Sequence, residues 1–252
     1  MSRILKISAT AAFSTTAIYS ALAWRHISSL DSRNISASNS IPESFRTSRS
    51  VKTITNPKNH RSVEDTRSII VQVPQGLTDE AILAQFVKGF FGGYSFTPES
   101  IVLNIIRKDL VKYHALQNPG KTSRIYYPGA LNDRTLPPVY TILFGAFQVA
   151  ECNIHPNIQS IEGRDSQVEV TSSYIDIVYG QDGARLVGVH RFEVSRDPKR
   201  DDGAVEIRFS SANCNAKENV IIGAFMGSFH RAYAMLLFRE GVLRVLQQPV
   251  SE

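Results

Sequence analysis

The stretch SYIDIVYGQDGARLVGVHRFEVS, residues 173–195, decides the fold of this chain. Apolar and polar residues alternate on both sides of Gln181-Asp182-Gly183, which is the pattern of two half-buried strands. Asp-Gly accepts the positive φ angles of a tight turn, so the stretch predicts an antiparallel β-hairpin.

The turn also sets a register for the two strands. If Gln181 pairs with Ala184, then Ile175 lies opposite His190, and Ile177 shares their face of the sheet. His190 is therefore predicted on the buried face.

Charge sets the register of the next hairpin, whose second strand is predicted at residues 204–213. Like charges opposite each other destabilise a sheet, so we expect Glu193 opposite Arg208 rather than opposite Glu206. The same register predicts the cross-strand pairs Phe192–Phe209, Val194–Ile207 and His190–Ser211. The inner face would then be mostly apolar.

Period-two alternation predicts four strands in this half of the chain, at residues 141–152, 168–179, 185–195 and 204–213. Their connections are short, which favours antiparallel pairing. An earlier apolar run at residues 68–73 ends at a proline and reads as an edge strand.

Three helices complete the pattern. Thr78 caps the first, which ends at Gly92, and Thr97 begins the second. Residues 220–247 read as one long amphipathic helix. The buried face of the second helix is predicted to consist of Ile101, Val102, Ile105 and Ile106.

This element order predicts an α+β fold, in which a curved antiparallel sheet grips a long C-terminal helix and two tandem helices follow the first strand. Over about residues 68–247 it resembles the helix-grip arrangement of Bet v 1-like and START-like proteins. The strand pair from Ser173 to Arg208 and the segment Phe229-His230-Arg231-Ala232-Tyr233 are also similar to fungal proteins of unknown function. The helix-grip resemblance implies a cavity for an apolar ligand between sheet and helix, and it brings no established activity.

The first 66 residues hold the whole excess of positive charge, with nine Lys and Arg against four Asp and Glu. Residues 67–252 hold 19 basic and 19 acidic residues, so a nucleic-acid surface is not expected on the folded part.

Residues 1–30 contain no acid and are rich in Ser, Thr and Ala, which is typical of a mitochondrial transit peptide. A secretory signal ending at Ala21-Leu22-Ala23, or a membrane anchor at residues 7–24, also fits and would allow membrane contact through this segment.

Residues 31–66 are rich in Ser, Asn, Arg and Thr and predict a disordered linker. Residues 67–252 would then be the single folded domain, for which residues 1–66 are dispensable. Two cysteines, too few for a disulfide framework, favour a reducing compartment.

The predicted function is binding of a small apolar or lipid-like molecule in the cavity. The residues expected to line it are Ile175, Ile177, His190, Phe192, Phe209, Ser211, His230 and Tyr233. His190 is either a core histidine hydrogen-bonded to Ser211 or a group that orients the ligand, with a pKa lowered by burial.

Two alternatives stay open. One is an enzyme that uses His190 and His230 as acid and base, and the other is an assembly factor whose apolar groove receives a partner helix. Cys152 and His155 have metal-like spacing, but a single further cysteine does not complete a zinc site, so neither a metal nor a cofactor is predicted.

Overall fold

A mixed β-sheet is the centre of the fold. The computed structural model describes residues 18–74, 76–117, 120, 122–155, 172–197, 203–221 and 224–247, without the side chains of 224–228. In these residues the strands are β1 (Ser36–Ser38), β2 (Ser62–Gln72), β3 (Arg124–Ile125), β4 (Ile142–Leu143), β5 (Phe147–Asn153), β6 (Ser172–Tyr179), β7 (Val187–Arg196) and β8 (Ala204–Cys214). They lie in the order β1-β2-β8-β7-β6-β5-β4-β3, and the sheet is not closed into a barrel.

The α+β class is confirmed, but the sheet is not wholly antiparallel. Within the described strands, β3 pairs with β4 in parallel, whereas the long strands pair antiparallel as predicted. The predicted strand at 141–152 is two strands, because Phe144 and Gly145 turn the chain with φ angles of 54° and 73°. Residues 168–171 of the next predicted strand lie outside the described residues.

The predicted register between β7 and β8 is confirmed at every position for which it was given. Glu193 lies opposite Arg208, and Arg208 Nη1 donates a hydrogen bond to Glu193 Oε1 at 3.1 Å. His190 lies opposite Ser211. The opposite charges of Glu193 and Arg208 therefore lie across from each other, as the like-charge argument predicted.

The predicted register between β6 and β7 is wrong by two residues, since Ile177 rather than Ile175 lies opposite His190. The turn itself forms, with Ala184 N donating to Gln181 O at 3.0 Å. However, Lys112 N donates to Gly180 O at 3.0 Å, and Asp182 N donates to Lys112 O at 3.1 Å, so the chain beyond β6 pairs with another segment. A shift by two residues preserves the face of each side chain, and His190 stays buried.

Helices α3 (Asp79–Gly92) and α5 (Ala224–Leu246) cover the inner face of the sheet. The predicted cap is confirmed, because the Thr78 side chain accepts a hydrogen bond from Ala81 N. Helix α3 packs against β6 and β7, whereas α5 contacts β2 and packs along α3. The two helices meet at Gly89 and Gly241, where a Cβ on Gly89 would lie 2.9 Å from Gly241 Cα.

Helix α4 (Thr97–Ile106) begins where predicted, but its predicted buried face is wrong. Ile101, Val102, Ile105 and Ile106 are exposed, and Ile105 is 77% exposed. Leu103 is the residue of α4 that is buried. The reason is that α3 and α5 already occupy the inner face of the sheet, so α4 lies beyond the end of α3 rather than on the sheet.

The segment predicted as a disordered linker, residues 31–66, is structured and packs on the sheet. It contributes β1, helix α2 (Glu43–Arg46), a π-helix (Ser50–Thr55) and the first part of β2. Phe45 and Ile54 join a second core on the outer face of the sheet, with Val178, Val189 and other strand residues. Composition alone does not predict this packing, because the few apolar residues of the segment are buried against the sheet rather than against one another.

This outer layer also buries a charged pair, Asp176 and Arg191. Arg191 donates to Asp176 through Nε at 2.7 Å and through Nη2 at 2.9 Å, and both side chains are buried. The Arg191 guanidinium lies 4.5 Å from the Phe45 ring centroid and 3.8 Å from that of Tyr174. Both faces of the sheet are thus covered.

Residues 18–28 form helix α1, and the rest of the predicted targeting segment lies outside the described residues. None of the helices in the described part of the chain is long and apolar enough to cross a membrane.

Candidate functional site

A cavity of about 250 Å³ lies on the inner face of the sheet, at the end where α3, α4 and α5 meet it. Helices supply part of its wall and strands β5 to β8 supply the rest. The lining residues are Phe90, Phe91, Phe96, Glu99, Phe147, Tyr179, Leu186, His190, Phe209, Asn213, Phe229, His230, Tyr233, Ala234 and Leu237. Aromatic rings make up most of this wall, and Phe229 and Leu186 are exposed and mark its opening.

His190 is the most unusual group on this wall. Its side chain is 7% exposed, yet neither ring nitrogen has a hydrogen-bond partner among the described residues. Its ring centroid lies 4.9 Å from that of Tyr179 and 5.2 Å from that of Phe209. Burial, with a smaller contribution from His230, holds the pKa of His190 well below its ordinary value. His190 therefore lies on the cavity wall as a neutral imidazole whose two ring nitrogens are buried and have no partner among the described residues.

His230 reaches the same end of the cavity from α5. Its ring stacks on His190 with 6.1 Å between the centroids and 28° between the planes. His230 Nε2 and Ser211 Oγ share a hydrogen bond of 3.1 Å. The predicted hydrogen bond between His190 and Ser211 is therefore replaced by one between His230 and Ser211. Burial, together with the charges of Arg231 and Arg67, lowers the pKa of His230.

Asn213 is a second buried group with spare hydrogen-bonding capacity. It is 5% exposed, and its Nδ2 has no hydrogen-bond partner among the described residues. Ser211, which lies opposite His190 in the register, is two positions from Asn213 on the same strand face. Asn213 and His190 are thus diagonal neighbours on adjacent strands, with an expected backbone separation of about 7–8 Å.

Glu99 and Tyr233 form another polar pair on the wall. Tyr233 Oη donates to Glu99 Oε2 at 2.9 Å, and burial raises the pKa of the Glu99 carboxyl above its ordinary value. This pair satisfies itself, in contrast to His190 and Asn213.

Of the predicted site residues, the structure brings His190, Phe209, His230 and Tyr233 together on the cavity wall. Ile175, Ile177 and Phe192 are fully buried in the core beside it, and Ser211 supports His230 without lining the cavity. The sequence interpretation missed Glu99, Asn213 and the contribution of α3. Asn213 carried a signal, because the confirmed β8 register places it on the inner face as a polar residue without an acidic or basic partner.

Within the described residues, neither a Ser-His-carboxylate triad nor a metal-binding cluster lies at the cavity. Ser211 is fully buried, and no carboxylate in that part of the chain hydrogen-bonds to His230 to orient it as a base. No cluster of three or more His, Cys, Asp or Glu side chains suited to a metal occurs among the described residues. Cys152 and Cys214 are free thiols. The chemistry that the cavity offers is hydrogen bonding by His190, Asn213 and the Tyr233–Glu99 pair inside a mostly apolar wall.

Comparison with known proteins gives no family. No protein-family model matches the chain, and no curated protein matches it. Among solved structures, the 1.88 Å crystal structure of a hypothetical protein from Helicobacter pylori is similar over 79% of this chain and 94% of its own, with 13% identity and a TM-score of 0.31. A TM-score this low supports no inference about the fold or the function of this chain.

Proposed function

We propose that this protein binds a small apolar or lipid-like molecule in the cavity, held between the sheet and α5 in a helix-grip arrangement. The observation that carries the proposal is His190, which is buried in an aromatic wall with both ring nitrogens unpartnered among the described residues. Leaving such a group unsatisfied costs about 1–3 kcal/mol, which a bound molecule would recover.

The wall has the composition of a binding site for an apolar molecule, with many hydrophobic side chains and a few polar groups. A ligand that buries about 150 Å² of apolar surface would gain roughly 4 kcal/mol before the entropic cost of association. Because that gain is modest, hydrogen bonds to His190 and Asn213 would decide which molecule is retained.

The test is native mass spectrometry of the purified full chain, followed by organic extraction. We expect a co-purifying small molecule in the wild type. Ala234→Leu, which adds volume at a buried position on the wall, should lose it, and Ala232→Leu, at an exposed position two residues earlier on α5, should keep it. An empty wild-type monomer would overturn the proposal, and a bound protein instead of a small molecule would favour the assembly factor.

An enzyme that uses His190 and His230 as acid and base is the second candidate. The stacking of two imidazoles with lowered pKa values on one cavity wall favours it. The extracted molecule should be incubated with fresh protein and its mass followed over time. An unchanged mass supports binding, whereas a new product that His190→Phe does not form would support catalysis.

Import into mitochondria is also a proposal. It rests on the acid-free, basic composition of residues 1–30. A fusion of residues 1–66 to a fluorescent reporter should give mitochondrial fluorescence, and secretory or cytosolic fluorescence would overturn this assignment.

A further inference from the structure

We propose that the ligand of this cavity is uncharged and carries a hydroxyl group, which binds between His190 and Asn213. This inference rests on the proposed function and names the chemical class of its ligand. It follows from two buried groups on the wall whose polar atoms have no partner among the described residues, and from the Lys and Arg side chains that the described wall lacks. Because these polar atoms are covered in the unliganded wall, the ligand would reach them through a small side-chain movement.

The free groups match a hydroxyl. A neutral imidazole offers one N–H donor and one nitrogen acceptor, and the Asn213 amide offers a donor at Nδ2. A hydroxyl oxygen can accept from Asn213 Nδ2 while its proton goes to the unprotonated nitrogen of His190. If the N–H of His190 faces the cavity instead, the same oxygen accepts from it. A hydroxyl therefore pairs with His190 in either tautomer.

An ionised carboxylate fits less well. No Lys or Arg is among the described residues that line the cavity, so a carboxylate would lose its water without gaining a cationic partner. Arg67 acts on His230 through its charge, but it lies off the wall and forms an ion pair with Asp65. The carboxyl group of Glu99, which does line the cavity, would add repulsion.

An ammonium group fits less well for a different reason. Aromatic rings attract cations, and the wall is rich in them. However, an ammonium can only donate, so it leaves the Asn213 donor unpaired. The positive charges of Arg231 and Arg67, which disfavour protonation of His230, also oppose a second cation beside it.

The experiment compares four probes with one apolar body: 1-decanol, decanoate, decylamine and decane, each titrated into the full chain by calorimetry at neutral pH. We expect 1-decanol to bind at least ten-fold more tightly than the other three. In His190→Phe that preference should fall below about three-fold, while His114→Phe, which changes an exposed histidine away from the cavity, should retain it. Asn213→Leu provides the same test if His190→Phe does not fold.

The outcomes separate the two proposals. If all four probes bind equally and Ala234→Leu blocks them, the cavity binds apolar molecules and the hydroxyl assignment is wrong. Tighter binding of decanoate or decylamine than of 1-decanol would overturn the assignment in the same way. Failure of every probe to bind the wild type would count against both the hydroxyl assignment and the proposed function.

Discussion

His190 combines two properties at the scale of a single residue, burial in an aromatic wall and a depressed pKa. Its burial could be predicted from the sequence, because strand alternation and the Glu193–Arg208 pairing fix its face. Its hydrogen-bonding state could not, because Ser211 is taken by His230, a residue of α5 that only the tertiary fold brings there. Local patterns specify which way a side chain points, but the partners on an opposing helix are set by packing.

The lowered pKa of His190 makes this residue a source of instability in acid. Below pH about 6.5 the unfolded chain binds a proton that the folded His190 takes up only at lower pH, so the free energy of unfolding falls as the pH decreases. His190→Phe should therefore lose less stability between pH 7 and pH 5 than the wild type, as measured by urea denaturation at each pH. Equal losses in the two proteins would show that His190 titrates like an exposed histidine.

The Asp176–Arg191 pair on the outer face gives a second prediction for single residues. Asp176→Ala leaves the buried Arg191 guanidinium without its carboxylate and should cost about 3–5 kcal/mol of unfolding free energy. Asp109→Ala, which breaks the more exposed pair with Arg124, is the matched control and should cost about 1 kcal/mol or less. Similar losses for the two variants in chemical denaturation would mean that the outer face is open to water.

The elements of the fold were predictable to different degrees. Helix α3 and strands β7 and β8 carry strong local signals, a cap and a strict alternation, and they form where predicted. Strand β2 starts six residues before the predicted run at 68–73, because its inward-facing Asp65 and Arg67 hide the alternation and neutralise each other once paired. Helix α4 has a strong apolar face that remains exposed, which shows that amphipathicity alone does not say whether a covering surface is available.

The packing of residues 41–55 on the sheet yields a prediction at the scale of an element. Phe45 is fully buried under the outer layer, so Phe45→Ala should destabilise the protein by roughly 3–5 kcal/mol. Ser44→Ala, on the exposed side of the same helix, should change stability by less than about 0.5 kcal/mol. If thermal or chemical denaturation cannot tell Phe45→Ala from Ser44→Ala, the segment is a linker after all.

The crossing of α3 and α5 gives another prediction at this scale. A Cβ on Gly241 would lie 2.5 Å from Phe86 Cδ2 and 2.9 Å from Phe86 O, so Gly241→Ala must push the two helices apart. We expect a loss of about 1–3 kcal/mol in denaturation experiments. Gly129→Ala, where nothing lies within 4 Å of the added Cβ, is the control, and equal stability of the two variants would contradict the close crossing.

At the scale of the whole molecule, the sheet has a different partner on each face. Segment 41–55 and residues 111–116 form a second core on the outer face, whereas α3, α4 and α5 leave an aromatic cavity on the inner face. The class of the fold and half of the predicted site residues could be taken from the sequence, because they depend on β6 to β8 and on the periodicity of α5. The size of the cavity could not, because it depends on how far three helices stand from the sheet.

The most direct test of whether the cavity binds a small molecule is a crystal structure of the full chain purified without any step that removes lipids. We expect continuous electron density for a small molecule along the Phe90 and Phe209 rings, with one oxygen within hydrogen-bond distance of His190 and Asn213. A cavity that has collapsed, with aromatic side chains packed against His190 and no density between them, would contradict it.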